Sequence, residues 1–395
     1  MAELRFLKIV INNHPLIQTN TAFSLVSDQR VQEGDEEQMI HLFGRNWVNN
    51  ITTLAGRNAA GKTTLMKFTL GMLSLLLGNN SITQTRLVEV LLGDAPVTVE
   101  MYFYGTNKQI YQDVLTFAWD SQQGAWYIDQ EVIKVKTAKV NDAKKSLFNF
   151  TEAEVFADRS KLDGIASLVL SPDDSIFRTV IAHNKYQPTA VVDNLTFTDL
   201  NFLVSAQDEV PTQILEYLDS TVEYLKIDRL ENHQSVFRLK FKGLPREITD
   251  NNFANITRYL SSGTAKGITI YSQALITLKK GGYLFIDELE NHFNHAIVRT
   301  FIEMFADQRI NQQQATLIFS THYSALLDDL VRGDQVYIAR RQAKITLTRY
   351  SDTDLRSDLV RSDVFDANLI AGTAPDYDAY MRLLKATAKM IAKAY

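Results

Sequence analysis

Gly56-Arg57-Asn58-Ala59-Ala60-Gly61-Lys62-Thr63 is a complete G-x-x-x-x-G-K-[ST] run. It constrains the fold more than any other feature, because this motif needs a buried strand before it and a helix after it. Both flanks fit. Ile51 to Ala55 reads as a buried strand, and the stretch from Thr64 onward reads as a helix that stops at Gly78-Asn79-Asn80. The loop's backbone N–H groups and the helix N-terminus together can hold phosphate oxygens. Lys62 would reach the β- and γ-phosphates of ATP, and the Thr63 hydroxyl would ligate Mg²⁺. The expected nucleotide-binding segment is therefore Gly56 to Thr64.

The chain has 395 residues, enough for two or three domains, or one domain with a large insertion. With 45% hydrophobic and 22% charged residues its composition is that of an ordinary globular protein. A net charge of −5 excludes a general polyanion binder but leaves room for a local basic groove. There are no Cys residues, hence no disulfide and no thiolate metal site. Met1 to Arg5 has no signal-peptide layout. The longest apolar stretch, Leu65 to Leu77, is interrupted by Lys67, Thr69 and Ser74 and is too short to span a bilayer. A cytoplasmic protein with no membrane association is expected.

Residues 4–10 and 15–26 alternate in the manner of strands around Asn12-Asn13-His14-Pro15. Val97 to Tyr104 and Asp113 to Ala118 read as a hairpin about Gly105-Thr106-Asn107, followed by a strand from Trp126 to Lys136. Residues 136–250 mix short helical and extended patterns and read as an inserted, lid-like region. Within it, Gln213 to Tyr224 reads as a helix and Ser235 to Lys242 as a strand. No sustained heptads argue for a long coiled coil. From 251 to 350 the α/β pattern returns: a helix near 265–279, the strand Tyr283 to Ile286, a helix near 295–307, the strand Ala315 to Phe319 and the hairpin Val336 to Arg349. Residues 351–395 form a C-terminal extension ending in a helix. Residues 1–135 then make an N-terminal lobe that carries the glycine-rich loop.

Three further motifs stand in the second half. Tyr283-Leu284-Phe285-Ile286 runs straight into Asp287-Glu288, so a buried parallel strand would deliver both carboxylates beside the loop. There Asp287 would bind Mg²⁺ through water and Glu288 would polarise the attacking water. A helix N-terminus, where acids are favoured anyway, is the structural alternative. Leu260-Ser261-Ser262-Gly263-Thr264 opens a helix, and taken alone it is an N-cap. Leu317-Ile318-Phe319-Ser320-Thr321-His322 is a strand ending in His; a lone His there reads as structural, but its position after the acidic strand favours a γ-phosphate sensor.

Together the four elements resemble the ABC-type ATPase heads of the SMC, RecF and OLD-like proteins, in the order Walker A, signature, Walker B with its glutamate, and switch histidine. The resemblance covers residues 1–70 and 255–330 and implies an α/β P-loop head: a mixed sheet with an antiparallel β subdomain, a central insertion, and a C-terminal hairpin plus helix. It implies that Lys62, Glu288 and His322 are catalytic and that ATP and Mg²⁺ are the cofactors. It also implies a homodimer or higher oligomer, in which Ser261 and Gly263 meet in trans the nucleotide held by the other subunit. Glu290-Asn291-His292-Phe293 takes the place of the D-loop in a departing form. The Asp-Glu-Leu-Glu-Asn motif, the Ser-Thr-His-Tyr switch, the hairpin Gln335 to Arg349, and Gly372-Thr373-Ala374-Pro375 are similar to the single-chain ATPases of bacterial anti-phage and abortive-infection systems. That likeness implies a separate nuclease or toxin as effector. A RecF-like DNA-repair ATPase, an ATP-binding scaffold without hydrolysis, and a P-loop kinase or transporter subunit are the alternatives.

Other patterns carry less. Lys134, Lys136, Lys139, Lys144 and Lys145 form a basic run that reads as a solvated hairpin face, with a nucleic-acid edge as the rival. Arg340-Arg341 has the same two readings. His292 and His295 lack the further ligands that zinc needs. The irregular acids Asp352, Asp354, Asp358, Asp363 and Asp366 read as exposed charges, not as a nuclease site.

Overall fold

The computed structural model describes residues 2–164, 170–195, 209–230, 235–291, 293–356, 358–373 and 377–392. His292, Ala374 and Pro375 lie outside them. The centre is a six-stranded sheet in the order Val191–Asn194, Tyr283–Ile286, Thr316–Thr321, Ile51–Ala55, Val336–Arg341 and Ile345–Arg349. The first five are mutually parallel and the last is antiparallel. Every residue of Ile51–Ala55, Tyr283–Ile286 and Thr316–Thr321 is buried. That is why none of these segments alternates apolar with polar residues. Parallel strands end on one edge, so Ala55, Ile286 and Thr321 all hand their following residues to the same side of the sheet.

A second six-stranded sheet is wholly antiparallel, in the order Thr21–Ser24, Leu4–Asn12, Val97–Gly105, Gln109–Asp120, Ala125–Thr137 and Glu154–Asp158. The helix Lys62–Leu76 packs into the core between the two sheets, with Phe68, Met72 and Leu73 fully buried. Truncating a side chain like Phe68 costs roughly 3–5 kcal/mol. The far face of the parallel sheet is covered by the helices Ser262–Lys280 and His295–Ala306. A small antiparallel sheet of Val222–Arg229, Ser235–Phe241 and Ile248–Asp250 has its own core, closed by the first turns of Ser262–Lys280.

The stretch 136–250 is shared among these three sheets. Glu154–Asp158 edges the antiparallel sheet, Val191–Asn194 edges the parallel one, and only the part from Val210 onward builds the small sheet. The expected helix over Gln213 to Tyr224 ends early: it spans Thr212–Leu218, and Val222, Glu223 and Tyr224 are in a strand. Asp219 breaks it. Its carboxylate accepts from the Thr221 N–H (3.0 Å) and hydroxyl (2.6 Å), a local turn that competes with the helix.

A charge cluster ties residues 28–35 to Arg332 and Asp334. Arg332 donates to Asp334 (2.8 Å), Asp35 (2.5 Å) and the Gln29 carbonyl (3.0 Å). Asp334 in turn accepts from the Asp28 and Gln29 N–H groups at 2.9 and 3.0 Å. Burial pushes the Asp334 carboxyl up, but its bonds from Arg332 and the nearby Arg349 hold it below the usual range.

Candidate functional site

The glycine loop needs its glycines for space. At Gly56 an added Cβ would lie 2.5 Å from the Ala339 carbonyl oxygen, a backbone atom that cannot move aside. Gly61 has a φ of 96°, which favours glycine, and its Cβ position is filled by Ile345. Ala59 also takes a left-handed φ of 62°. The turn leads into the helix Lys62–Leu76 without a side-chain cap, leaving first-turn N–H groups free of a capping side chain.

Lys62 is buried, and its ammonium donates to the Gly56 (2.7 Å) and Arg57 (3.1 Å) carbonyls. Burial lowers its pKa, opposed by Glu288, Asp287 and Glu290. The Thr63 hydroxyl donates to Asp287 Oδ2 at 2.6 Å. The two residues expected to hold Mg²⁺, 224 positions apart, are thus in contact. A hydroxyl and a carboxylate beside a phosphate cradle suit Mg²⁺, which takes one or two carboxylates and otherwise water and phosphate oxygens. Among the described residues no cluster of three or more His, Asp or Glu is arranged for a metal on its own.

Glu288 has a φ of 48°, rare for a non-glycine residue. Its N–H donates to Ser320 Oγ (2.9 Å), and Asn291 N–H donates to its carbonyl (2.9 Å). Ser320, fully buried on the neighbouring strand, donates its own hydroxyl to Asp287 Oδ1. One serine therefore fixes both acids. His322 is half-exposed and follows the same strand. Its Nδ1 lies 2.9 Å from Glu290 Oε1, and its N–H donates to that oxygen at 2.8 Å. With Nδ1 so engaged, Nε2 is the nitrogen left for a phosphate.

Lys62, Thr63, Asp287, Glu288 and His322 thus share one edge, along with Ser320 and Glu290. Ser261 and Gly263 are placed differently. Ser261 caps the helix Ser262–Lys280, accepting from Thr264 N–H at 2.9 Å, and it is exposed with Ser262 at that end. Lys266, one turn further, is buried beside the acids. It donates to the Asn291 carbonyl (3.2 Å), and burial lowers its pKa against the pull of Glu288 and Glu290. Ser320 and Glu290 lie inside motifs of the sequence, but no motif marks Ser320 as a bridge or Glu290 as a clamp. Lys266 had no motif to flag it.

Four of the remaining candidates have bonds within the fold. Lys136 donates to the Ser146 and Asn149 carbonyls, and Lys144 to those of Asp28 and Gln29. Arg340 bonds Thr348 (2.7 Å). His295 pairs with Asp329.

Residues 51–328 match the model of the family described as "AAA domain, putative AbiEii toxin, Type IV TA system". The chain belongs to this family. The match starts at the strand before the glycine loop and ends just beyond His322, so all four motifs fall inside it. An ATP-binding P-loop ATPase domain of mixed α/β fold is thereby the frame for the site. No curated protein matches the chain. Among solved structures it is similar to the SMC head domain from Thermotoga maritima, with 11% identity and a TM-score of 0.38, covering 87% of this chain and 98% of that one. It is also similar to the ATP complex of the recombination mediator RecF, with 11% identity and a TM-score of 0.37, covering 88% of this chain and 98% of that one.

Proposed function

We propose that this protein is an ABC-type ATPase that hydrolyses ATP between two copies of itself and, through that cycle, regulates a separate nuclease or toxin in anti-phage defence. The observation that carries the ATPase reading is the meeting of Thr63 and Asp287 at 2.6 Å beneath the glycine loop, with Glu288 next in the chain. The defence role rests on the family's own description and on no residue of the site.

The residues divide the work. Gly56 to Thr64 present backbone N–H groups and the Lys62 ammonium to the triphosphate. On binding, Lys62 exchanges its two carbonyl partners for phosphate oxygens. Thr63 and Asp287 would hold Mg²⁺, which when bound would offset charge on the phosphates. Glu288, with its backbone set by Ser320, orients and polarises the attacking water. His322, oriented by Glu290, donates to the γ-phosphate. Ser261 and Gly263 lie at the exposed end of their helix and act on the nucleotide of the second copy.

A mixing experiment tests the trans arrangement. Lys62→Ala removes the loop's cation, and Ser261→Arg blocks the signature. Each alone is expected to lose turnover. A mixture is expected to regain it, because one composite site then has an intact loop from one copy and an intact signature from the other. Failure of the mixture to recover, with Ser261→Arg still binding ATP, overturns the two-copy site. The RecF-type alternative predicts stimulation of turnover by DNA; the backbone bonds of Lys136 and Lys144 remove two of the cations that such an edge would use.

A further inference from the structure

The helix Tyr377–Ala392 has no place in the three hydrophobic cores. From Tyr377 to Ile391 every residue is exposed except the half-buried Met381. Met381 apart, its large apolar side chains are 46% (Leu384) to 72% (Met390) exposed. At about 100° per residue, Tyr377, Met381, Leu384 and Ile391 fall on one side of the helix. Arg382, Lys385 and Lys389 fall on the other, with Asp378 among them, so that side carries a net positive charge. An isolated helix of this length is marginal in water, and most helical stability comes from packing such a face.

The same chain carries a surface of complementary chemistry. The short helix Arg361–Asp366 packs on the turn Ser324–Leu327, joined by Arg361 to the Leu327 carbonyl (2.9 Å) and by Ser324 to Asp366 (2.9 Å). Around it Val331, Val360 and Leu369 are 58%, 51% and 57% exposed. Residues 351–372 hold five Asp against two Arg, and Asp354, Asp358 and Asp363 are exposed. Apolar patches with polar rims mark interaction sites.

We propose that a second copy of this chain covers the C-terminal helix: Tyr377–Ala392 of one copy lies on the acid-rimmed apolar surface around Arg361–Asp366 of the other, and the exchange is reciprocal. Charge selects the occupant. The net positive side meets the acidic rim while the apolar faces join. Because each copy offers both halves, a two-fold axis closes the assembly with no surface left over. Thr373, the last described residue before the helix, bonds the Phe365 carbonyl (2.6 Å) and Asn368 Oδ1 (2.9 Å). The contact needs no nucleotide. It goes beyond the ATPase reading and stands or falls separately from it. The turn Ser324–Leu327 begins two residues after His322, which puts the exchanged helix next to the switch segment.

The test is the mass in solution of the full chain, without nucleotide, by light scattering and sedimentation equilibrium. The wild type is expected to be a dimer. Lys385→Glu with Lys389→Glu, and separately Asp354→Lys with Asp363→Lys, should each weaken it about tenfold or more, the equivalent of 1.4 kcal/mol. Both sets in one chain should restore it. Lys62→Ala should leave the dimer intact. A monomeric wild type overturns the proposal. So does a dimer indifferent to both charge sets, or a monomer that binds phosphatidylserine vesicles through this helix.

Discussion

Glu290 shows how the site works at the scale of single residues. It places a buried carboxylate between His322 and the acidic strand, with one oxygen on His322 and the other without a partner. A charged group can stay buried only where its neighbours compensate, and here Lys266 and Lys62 lie in its field. In the proposed cycle it orients His322. Glu290→Ala is expected to lower turnover about 10–100-fold, the usual cost of losing an orienting partner. Glu290→Gln should recover part of the loss, and ATP binding should be kept. Unchanged turnover in Glu290→Ala, measured by phosphate release, would remove it from the site. The left-handed backbone of Glu288 belongs to the same account: such a conformation costs on the order of 1–3 kcal/mol and persists because Ser320 and Asn291 hold it. Loop, acids and histidine were legible because each motif has fixed spacing or follows an apolar run. Ser320 as a bridge and Glu290 as a clamp were not, because their partners lie 32 or 33 positions away in sequence.

At the scale of elements, strands read well wherever burial is two-sided or alternation is clean. The central stretch read poorly because its short pieces are assigned by neighbours far away: Val191–Asn194 is a strand by virtue of pairing with Tyr283–Ile286. The antiparallel sheet holds a feature that no motif announces. Asp113 and Glu131, on adjacent strands, are both buried, and neither Asp113 oxygen has a partner. Glu131 accepts from Ser175 and from the Ile176 N–H (3.0 Å). Burial first, and the neighbouring Glu131 second, raise Asp113 well above the ordinary carboxylate range. Such a group binds a proton in the fold that it releases on unfolding. Its stabilisation is complete below the unfolded pKa of about 4 and is lost as pH rises toward the folded value. Asp113→Asn keeps the shape without the ionisation. Its melting temperature is expected to exceed that of the wild type at pH 8, with the gap closing toward pH 5. A lower melting temperature across the whole range would contradict this.

At the scale of the molecule, two sheets enclose the helix that begins at Lys62, and the Arg332–Asp334–Asp35 cluster fastens the early loop to the late strands. Residues 224 positions apart in the sequence therefore meet on one edge. Central to the proposed function is ATP hydrolysis at this edge, with Glu288 as the water-polarising group. The direct measurement is phosphate release from Mg²⁺-ATP by the wild type and by Glu288→Gln, with ATP affinity measured alongside. Loss of this base should lower turnover about 10²–10⁴-fold while ATP still binds. Equal turnover in the two proteins would contradict the account.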